Sequence, residues 1–142
     1  MVAVQAVFSE YSAGLDLNDL VYLEKTDLPG YAEEADMLAH LIDAENYLEG
    51  ETAMLYTGSV ALNRVESDSF PDSLEEVIYQ RGQYACITDG HFFREPSEEA
   101  KDIAVTLINE GSALPAAVLY AAEFMQGEVY CKIGNTFYCY GE

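Results

Sequence analysis

The chain has 142 residues, half of them apolar, and its 26 acidic against 6 basic side chains give a formal net charge of −20. This length and apolar content predict one compact domain, and no apolar stretch is long enough to span a bilayer. The negative charge argues against binding to nucleic acid and favours a solvated acidic surface, with a docking face for a basic protein partner as the alternative.

Residues 1–35 carry no recognisable motif, so we interpret them as an N-terminal extension of unknown role ahead of a domain over residues 36–142. Alternating apolar residues from Val2 to Ala6 predict a strand, and Leu28-Pro29-Gly30 predicts a turn. The start of the chain lacks the basic leader and clear cleavage site of a signal peptide, which leaves the localisation open.

Two apolar stripes with three- and four-residue spacing predict helices. The first helix starts from Glu33 and is expected to end near Glu49, at Gly50. The second runs from Thr52 to about Val65, and its Gly58 is small enough to allow close packing against a neighbouring helix.

Capping residues predict two further helices. Asp72 or Ser73 can cap a short helix that runs through Tyr79, because either side-chain oxygen can accept a hydrogen bond from an exposed backbone amide. Ser97 is the expected cap of a later helix that Gly111 closes.

The end of the chain, from Ala116 onward, is predicted to form strands. Residues Ala116 to Tyr120 suggest one strand, and Glu128 to Ile133 with Thr136 to Tyr140 form a hairpin around the tight turn Gly134-Asn135. The predicted fold class is therefore α+β, a mainly helical single domain with a small antiparallel sheet near the C-terminus.

The cysteines and histidines show no metal-binding spacing. Cys86, Cys131 and Cys139 allow at most one internal disulfide, for which Cys131 and Cys139 are the nearer pair, but buried free thiols are favoured. His40 and His91 complete no zinc motif with them, so no metal site is predicted.

Four short motifs follow one another in an order typical of one enzyme family. They are Ala-Glu-Asn-Tyr-Leu-Glu at residues 44–49, Val-Ala-Leu-Asn-Arg-Val at 60–65, Phe-Pro at 70–71, and Val-Ile-Tyr-Gln-x-Gly-Gln-Tyr at 77–84. This order resembles the catalytic domain of the SleB/CwlJ-type cell wall hydrolases. Their pattern is Ala-Glu-Ala-x-Gly-Glu, then Val-Leu-Asn-Arg-Val, Phe-Pro and Val-Ile-Tyr-Gln-x-Gly-Gln-Phe-Ser. The spacing from Glu45 to Gln83 matches without a gap.

The resemblance implies a lysozyme-like or lytic-transglycosylase-like groove that binds the glycan strand of peptidoglycan. It implies lytic transglycosylation of the bond between N-acetylmuramic acid and N-acetylglucosamine, without metal or cofactor. One Glu protonates the leaving oxygen and then helps the 6-hydroxyl of the sugar to attack. Carried onto this chain, Glu45 is the acid and base, and Glu49, Gln83 and Tyr84 line the groove.

The residues themselves support a proton donor at Glu45. An apolar stripe precedes it, so part of its surroundings should be desolvated, and desolvation raises the pKa of a carboxyl group. Glu49 would lie beside it if the helix continued that far. We expect a structural role for Arg64, whereas Tyr120 and Tyr138 join Tyr84 as candidate sugar-stacking residues although most tyrosines should be structural.

Several positions depart from the family pattern. Leu48 stands where the pattern has Gly, Gly50 where it often has Pro, Ala85 where it has Ser, and Cys86 where an aromatic residue is usual, and a His before the final aromatic pair is missing. Lost polar groups remove substrate contacts more readily than they destroy a fold. The alternative function is therefore a catalytically reduced or inactive acidic module for binding or assembly, such as one derived from a phage.

Overall fold

Helices come first and strands last in the computed structural model, which describes residues 23–141. The strand predicted at Val2 to Ala6 lies outside the described residues. Within them, the helices are α1 (Pro29–Asn46), α2 (Glu51–Glu66), α3 (Leu74–Tyr79), α4 (Ala85–Asp89) and α5 (Glu98–Glu110). The strands are β1 (Val118–Ala122), β2 (Val129–Ile133) and β3 (Thr136–Tyr140). This order confirms the predicted mainly helical α+β class.

Helix α1 differs from the prediction at both ends. It begins at Pro29, where the sequence predicted a turn, because proline has the backbone angle of a first helical position and needs no amide partner there. It ends at Asn46 rather than near Glu49. Leu48 has a φ of 63° and Gly50 a φ of 98°, and a right-handed helix cannot pass through residues with positive φ. The helix also crosses the predicted domain boundary at residue 36.

Helices α1, α2 and α5 enclose the main apolar core. Gly58 of α2 permits their close approach: a Cβ atom there would lie 2.5 Å from Leu107 Cδ1 and 2.9 Å from Ile42 Cδ1. Both neighbours are buried, Leu107 on α5 and Ile42 on α1. The predicted role of Gly58 in close packing is therefore confirmed.

The predicted caps are present. Ser73 accepts a hydrogen bond from the Glu76 amide at the start of α3, and Ser97 accepts one from the Ala100 amide at the start of α5. Gly111 follows the last residue of α5, also as predicted. Each cap satisfies an amide that the first helical turn leaves without a backbone partner.

The sheet is antiparallel in the order β1-β3-β2, and the predicted hairpin forms its β2-β3 half. The first strand begins two residues later than expected, at Val118, after a turn in which the Val118 amide donates to the Pro115 carbonyl. Asn63 of α2 donates to the Pro115 and Val118 carbonyls at 2.9 and 3.0 Å, which fixes the sheet to that helix.

All three cysteines carry free thiols, as favoured from the sequence, but only Cys86 and Cys139 are buried, and Cys131 is partly exposed. Cys131 and Cys139 lie on the neighbouring strands β2 and β3 but are not partners in the register: Cys131 faces Tyr138, and Cys139 faces Val129. None of the helices between residues 23 and 141 is long and apolar enough to cross a membrane.

Replacing Gly58 tests the helix packing. We expect Gly58→Val to lower the free energy of unfolding by about 1–3 kcal/mol, because its side chain would overlap buried atoms of α1 and α5. Gly30→Val is the matched control, since a Cβ atom at Gly30 meets nothing within 4 Å, and it should change stability by less than about 0.5 kcal/mol. Denaturant unfolding measures both, and equal effects would contradict this account.

Candidate active site

A pocket of about 250 Å³ opens where the end of α1, helix α2, the segment before α4 and the end of β1 meet. It brings together four of the six residues selected from the sequence, namely Glu45, Glu49, Gln83 and Tyr84. Arg64 of α2 and Asn46 at the last position of α1 also line it. Glu45 and Tyr84, nearly forty positions apart in the sequence, thus line the same pocket.

Glu45 lies in the last turn of α1 and is half-buried. Burial raises the pKa of its carboxyl group above the ordinary value, a hydrogen bond with the Cys86 side chain lowers it, and the charges of Asp89 and Glu49 raise it, with burial the largest effect. The group therefore holds its proton to a higher pH than an exposed Glu does. A retained proton is what a general acid needs.

The end of α1 is held by a buried carboxylate two residues before Glu45. Asp43 is 2% exposed and accepts hydrogen bonds from Arg94 Nε at 3.2 Å and from the Ser97 amide at 3.1 Å. Arg94 Nη2 also donates to the Asp43 carbonyl at 3.3 Å. The turn that carries Glu45 is thereby tied to the start of α5.

Arg64 ties the opposite wall together. Its guanidinium donates through Nε to the Leu119 carbonyl at 2.8 Å and through Nη1 to Gln83 Oε1 at 3.1 Å. It also lies over three aromatic rings, with centroid distances of 4.6 Å to Phe70, 5.3 Å to Tyr84 and 5.6 Å to Tyr120. The structural role predicted for this arginine is confirmed by its bond to a backbone carbonyl.

Two polar groups of the pocket wall have no hydrogen-bond partner within residues 23–141. They are the Tyr84 hydroxyl and Asn46 Oδ1. Burial is the largest of the effects that raise the pKa of Tyr84, so the hydroxyl stays protonated. Buried polar groups without partners are rare in folded proteins, and each needs an explanation. A third, Gln80 Oε1, lies outside the lining of this pocket.

Sequence reasoning missed Asn46. The signal was present, because the family pattern has Ala at this position and this chain has a larger polar side chain. That side chain is only 2% exposed and lies next to Glu45.

The other two selected tyrosines lie elsewhere. Tyr138 is fully buried in the sheet core, where its hydroxyl donates to the Ala53 carbonyl and pairs with Thr57, so it presents no surface to a substrate. Tyr120 lies against a separate pocket, beside Phe70. Neither tyrosine lines the pocket that contains Glu45.

Comparison with known proteins gives one family match. Residues 48–139, more than half of the chain, match a family model described as Cell Wall Hydrolase. The spore cortex-lytic enzyme of Bacillus cereus is 29% identical over 97 residues, which is 67% of this chain and 38% of that protein. The cell wall hydrolase CwlJ of Bacillus subtilis is 28% identical over 87 residues, 58% of this chain and 61% of that protein. The chain thus spans well under two thirds of the spore cortex-lytic enzyme.

Solved structures give the same result for the fold. The catalytic domain of the Bacillus cereus SleB protein matches with a TM-score of 0.67 at 25% identity, over 76% of this chain and 90% of that domain. The catalytic domain of the germination-specific lytic transglycosylase SleB from Bacillus anthracis matches with a TM-score of 0.66 at 26% identity, over 75% and 93%. These matches confirm the resemblance and the fold class predicted from the sequence.

The pH dependence of stability tests the environment of Glu45. Because its pKa is raised in the folded state, its stabilising contribution is complete at acidic pH and is lost as pH rises through the folded-state pKa. Glu45→Gln cannot ionise, so we expect it to unfold at a higher temperature than the wild type near pH 7, with a smaller difference near about pH 4.

Thermal unfolding at the two pH values measures this difference. Glu128→Gln, at an exposed glutamate outside this pocket, is the matched control and should show no comparable gain. A Glu45→Gln variant that gained nothing at neutral pH would contradict the desolvation of this carboxyl group.

Proposed function

Because the chain belongs to the cell wall hydrolase family, we propose that it cleaves the glycan strand of peptidoglycan, with Glu45 as the proton donor. The observation that supports this most is a half-buried carboxyl group with a raised pKa on the wall of an open pocket. The scissile bond in this proposal joins N-acetylmuramic acid to N-acetylglucosamine. No cofactor takes part.

The proposed reaction is lytic transglycosylation. Glu45 gives its proton to the glycosidic oxygen as the bond from that oxygen to the anomeric carbon breaks. The resulting carboxylate then accepts the proton of the muramic acid 6-hydroxyl, whose oxygen bonds to the anomeric carbon. A 1,6-anhydro-muramic end forms, no water is consumed, and Glu45 is protonated again.

The position of Glu49 supports a mechanism with one acid. Its charge reaches Glu45 and raises the pKa of that group, which is the behaviour of two neighbouring carboxyl groups. Standard hydrolases instead place two carboxyl groups on opposite sides of the bond. We therefore assign Glu49 to substrate binding and to holding the proton on Glu45.

Gln83 and Tyr84 are proposed to contact the sugar. The Gln83 carbonyl oxygen accepts from Arg64, which orients the amide and leaves its N–H groups to donate to a saccharide oxygen. The Tyr84 hydroxyl is buried, so we assign its contact with the sugar to the ring that lines the same pocket. Both residues lie on the pocket wall with Glu45.

One observation favours a second candidate function, an inactive acidic module that binds or assembles with another protein. Ala85 lines the pocket where the family pattern has Ser, so the wall lacks one hydroxyl group. The net charge of −20 would suit a basic protein partner.

Product analysis separates the two functions. Wild-type protein incubated with purified peptidoglycan should release 1,6-anhydro-muropeptides, and Glu45→Gln should slow this release by about 10²–10⁴-fold because it removes the transferable proton. Glu128→Gln should act like the wild type. Ordinary reducing ends in place of anhydro ends would show hydrolysis instead, and no product from the wild type would favour the binding module.

Replacing Cys86 tests the role of Glu45 as the acid, because it should change the pH dependence of kcat/KM. Burial raises the pKa of this thiol to about 12, so it stays protonated and donates to Glu45, which lowers the pKa of the glutamate. Cys86→Ala removes the donor, so the pKa of Glu45 should rise. The alkaline limb of kcat/KM should then move to higher pH, because activity needs the protonated acid.

Cys86→Ser is the matched control because its hydroxyl can still donate. We expect its alkaline limb to stay close to that of the wild type. If the alanine and serine variants had the same profile, the thiol would not tune the acid.

A further inference from the structure

Leu48 combines an unfavourable backbone with an exposed apolar side chain. Its φ of 63° is the only positive value of a non-glycine residue between residues 23 and 141. Such a φ disfavours residues with a Cβ atom, and the family pattern has Gly at this position. The Leu48 side chain is 84% exposed, so no buried contact offsets the strain.

Three other large exposed apolar side chains directly follow pocket-lining residues or their neighbours in the chain. Tyr47 is 53% exposed and directly follows the pocket residue Asn46. Phe124 and Met125 are 62% and 64% exposed and directly follow the pocket residue Glu123. We call Tyr47, Leu48, Phe124 and Met125 the apolar rim; its members come from two separate loops that both enter the pocket wall.

The size of the pocket leaves most of a polymer outside it. Its volume of about 250 Å³ lies below the range of about 300–1,000 Å³ in which proteins enclose drug-sized ligands. A glycan strand with one residue in the pocket must therefore continue over the neighbouring surface. The rim residues are exposed and adjoin the pocket lining in sequence, so they are the apolar side chains with which we extend the site.

Charge favours an apolar contact there. Peptidoglycan carries carboxylate groups and this protein has a net charge of −20, so long-range electrostatics oppose the encounter. Sugar rings present C–H faces that pack on aromatic and aliphatic side chains without any charge. The Arg94 guanidinium already lies over the Tyr47 ring, 4.7 Å from its centre.

We propose that the apolar rim binds the sugar residues of the same glycan strand that lie next to the one in the pocket. Leu48 and Phe124 contact the apolar faces of those sugars, and the strain at Leu48 is retained because its side chain contributes to binding. This inference rests on the proposed function, since it takes the occupant to be the glycan substrate.

Co-sedimentation with bead-bound glycan tests the rim apart from catalysis. All variants carry Glu45→Gln, and the probe is glycan strands that an amidase has freed from their stem peptides and that are then coupled to beads. Leu48→Gly, Leu48→Ala and Phe124→Ser should each weaken binding by about two- to tenfold, the range for losing one exposed apolar or aromatic contact. Val105→Ala, which removes an exposed apolar side chain of α5 outside the pocket wall, should bind as its parent does.

The two Leu48 variants separate binding from folding. Leu48→Gly relieves the backbone strain, so its thermal midpoint should equal or exceed that of the parent while its binding falls. Leu48→Ala keeps the strained backbone and should lose binding to a similar extent. A variant that is at least as stable and yet binds more weakly cannot be explained by a structural role of Leu48.

Unchanged sedimentation of the Leu48 and Phe124 variants would overturn the proposal. So would a loss seen only with walls that keep their stem peptides, because the rim would then contact peptide. A smaller apparent mass of the variants in gel filtration would assign the rim to a second copy of the chain and would overturn it too. Lysis by the protein without Glu45→Gln is measured separately, so failure of the proposed function is recognised on its own.

Discussion

The buried guanidinium of Arg64 is the interaction on which the site depends. A buried charge is costly unless its donors are satisfied, and Arg64 is only 4% exposed. Its hydrogen bonds reach the Leu119 carbonyl on β1 and Gln83 in the segment before α4. Because Arg64 itself belongs to α2, one side chain fixes three parts of the pocket wall relative to each other.

The several donors and flat face of the guanidinium explain why arginine suits this position. Two of its N–H groups bind separate acceptors while its plane lies over the rings of Phe70, Tyr84 and Tyr120, and a lysine ammonium has no such plane. The cation also lowers the pKa of Tyr84, against the larger opposite effect of burial. Arg64 therefore both holds the pocket wall together and changes the pKa of a group in it.

Several unfavourable features lie at or beside this pocket. Glu45 loses hydration, Asn46 Oδ1 and the Tyr84 hydroxyl have no partner among the described residues, and Leu48 has a strained backbone. Each of these features destabilises the fold. Proteins keep such features mainly at sites that bind a ligand or catalyse a reaction. The compensation lies nearby, because Asp43 holds the same end of α1 through Arg94 and Ser97.

Local signals in the sequence predicted much of the fold. The apolar stripe of α2 placed both ends of that helix within one residue, and the serine caps and the Gly134-Asn135 turn identified later elements. Helix α4 was missed because its five residues are too short to show a helical period. The spacing from Glu45 to Gln83 matches the family pattern without a gap, and four of the residues selected from that pattern line one pocket. Equal chain lengths between helices that pack in the same way bring the same positions together.

Contacts between distant segments could not be predicted in this way. Tyr138 was a candidate sugar-stacking residue in the sequence, but the register of β3 against β1 and β2 places it in the core, where it meets Thr57 of α2. Arg94 and Asp43 are 51 positions apart, and no periodicity links them. Such pairs follow from how the helices and the sheet pack, which the local pattern does not contain.

The positions that depart from the family pattern lie in or next to the pocket, whereas the residues that hold the frame match it. Asn63 and Arg64 agree with the pattern and fix the sheet and the pocket wall to α2. Leu48, Ala85 and Cys86 differ from it, and they adjoin, line or hydrogen-bond the site. None of these three side chains carries a charge, and burial remains the largest effect on the pKa of Glu45. Under the proposed function, these positions would alter substrate contacts and leave the frame of the fold intact.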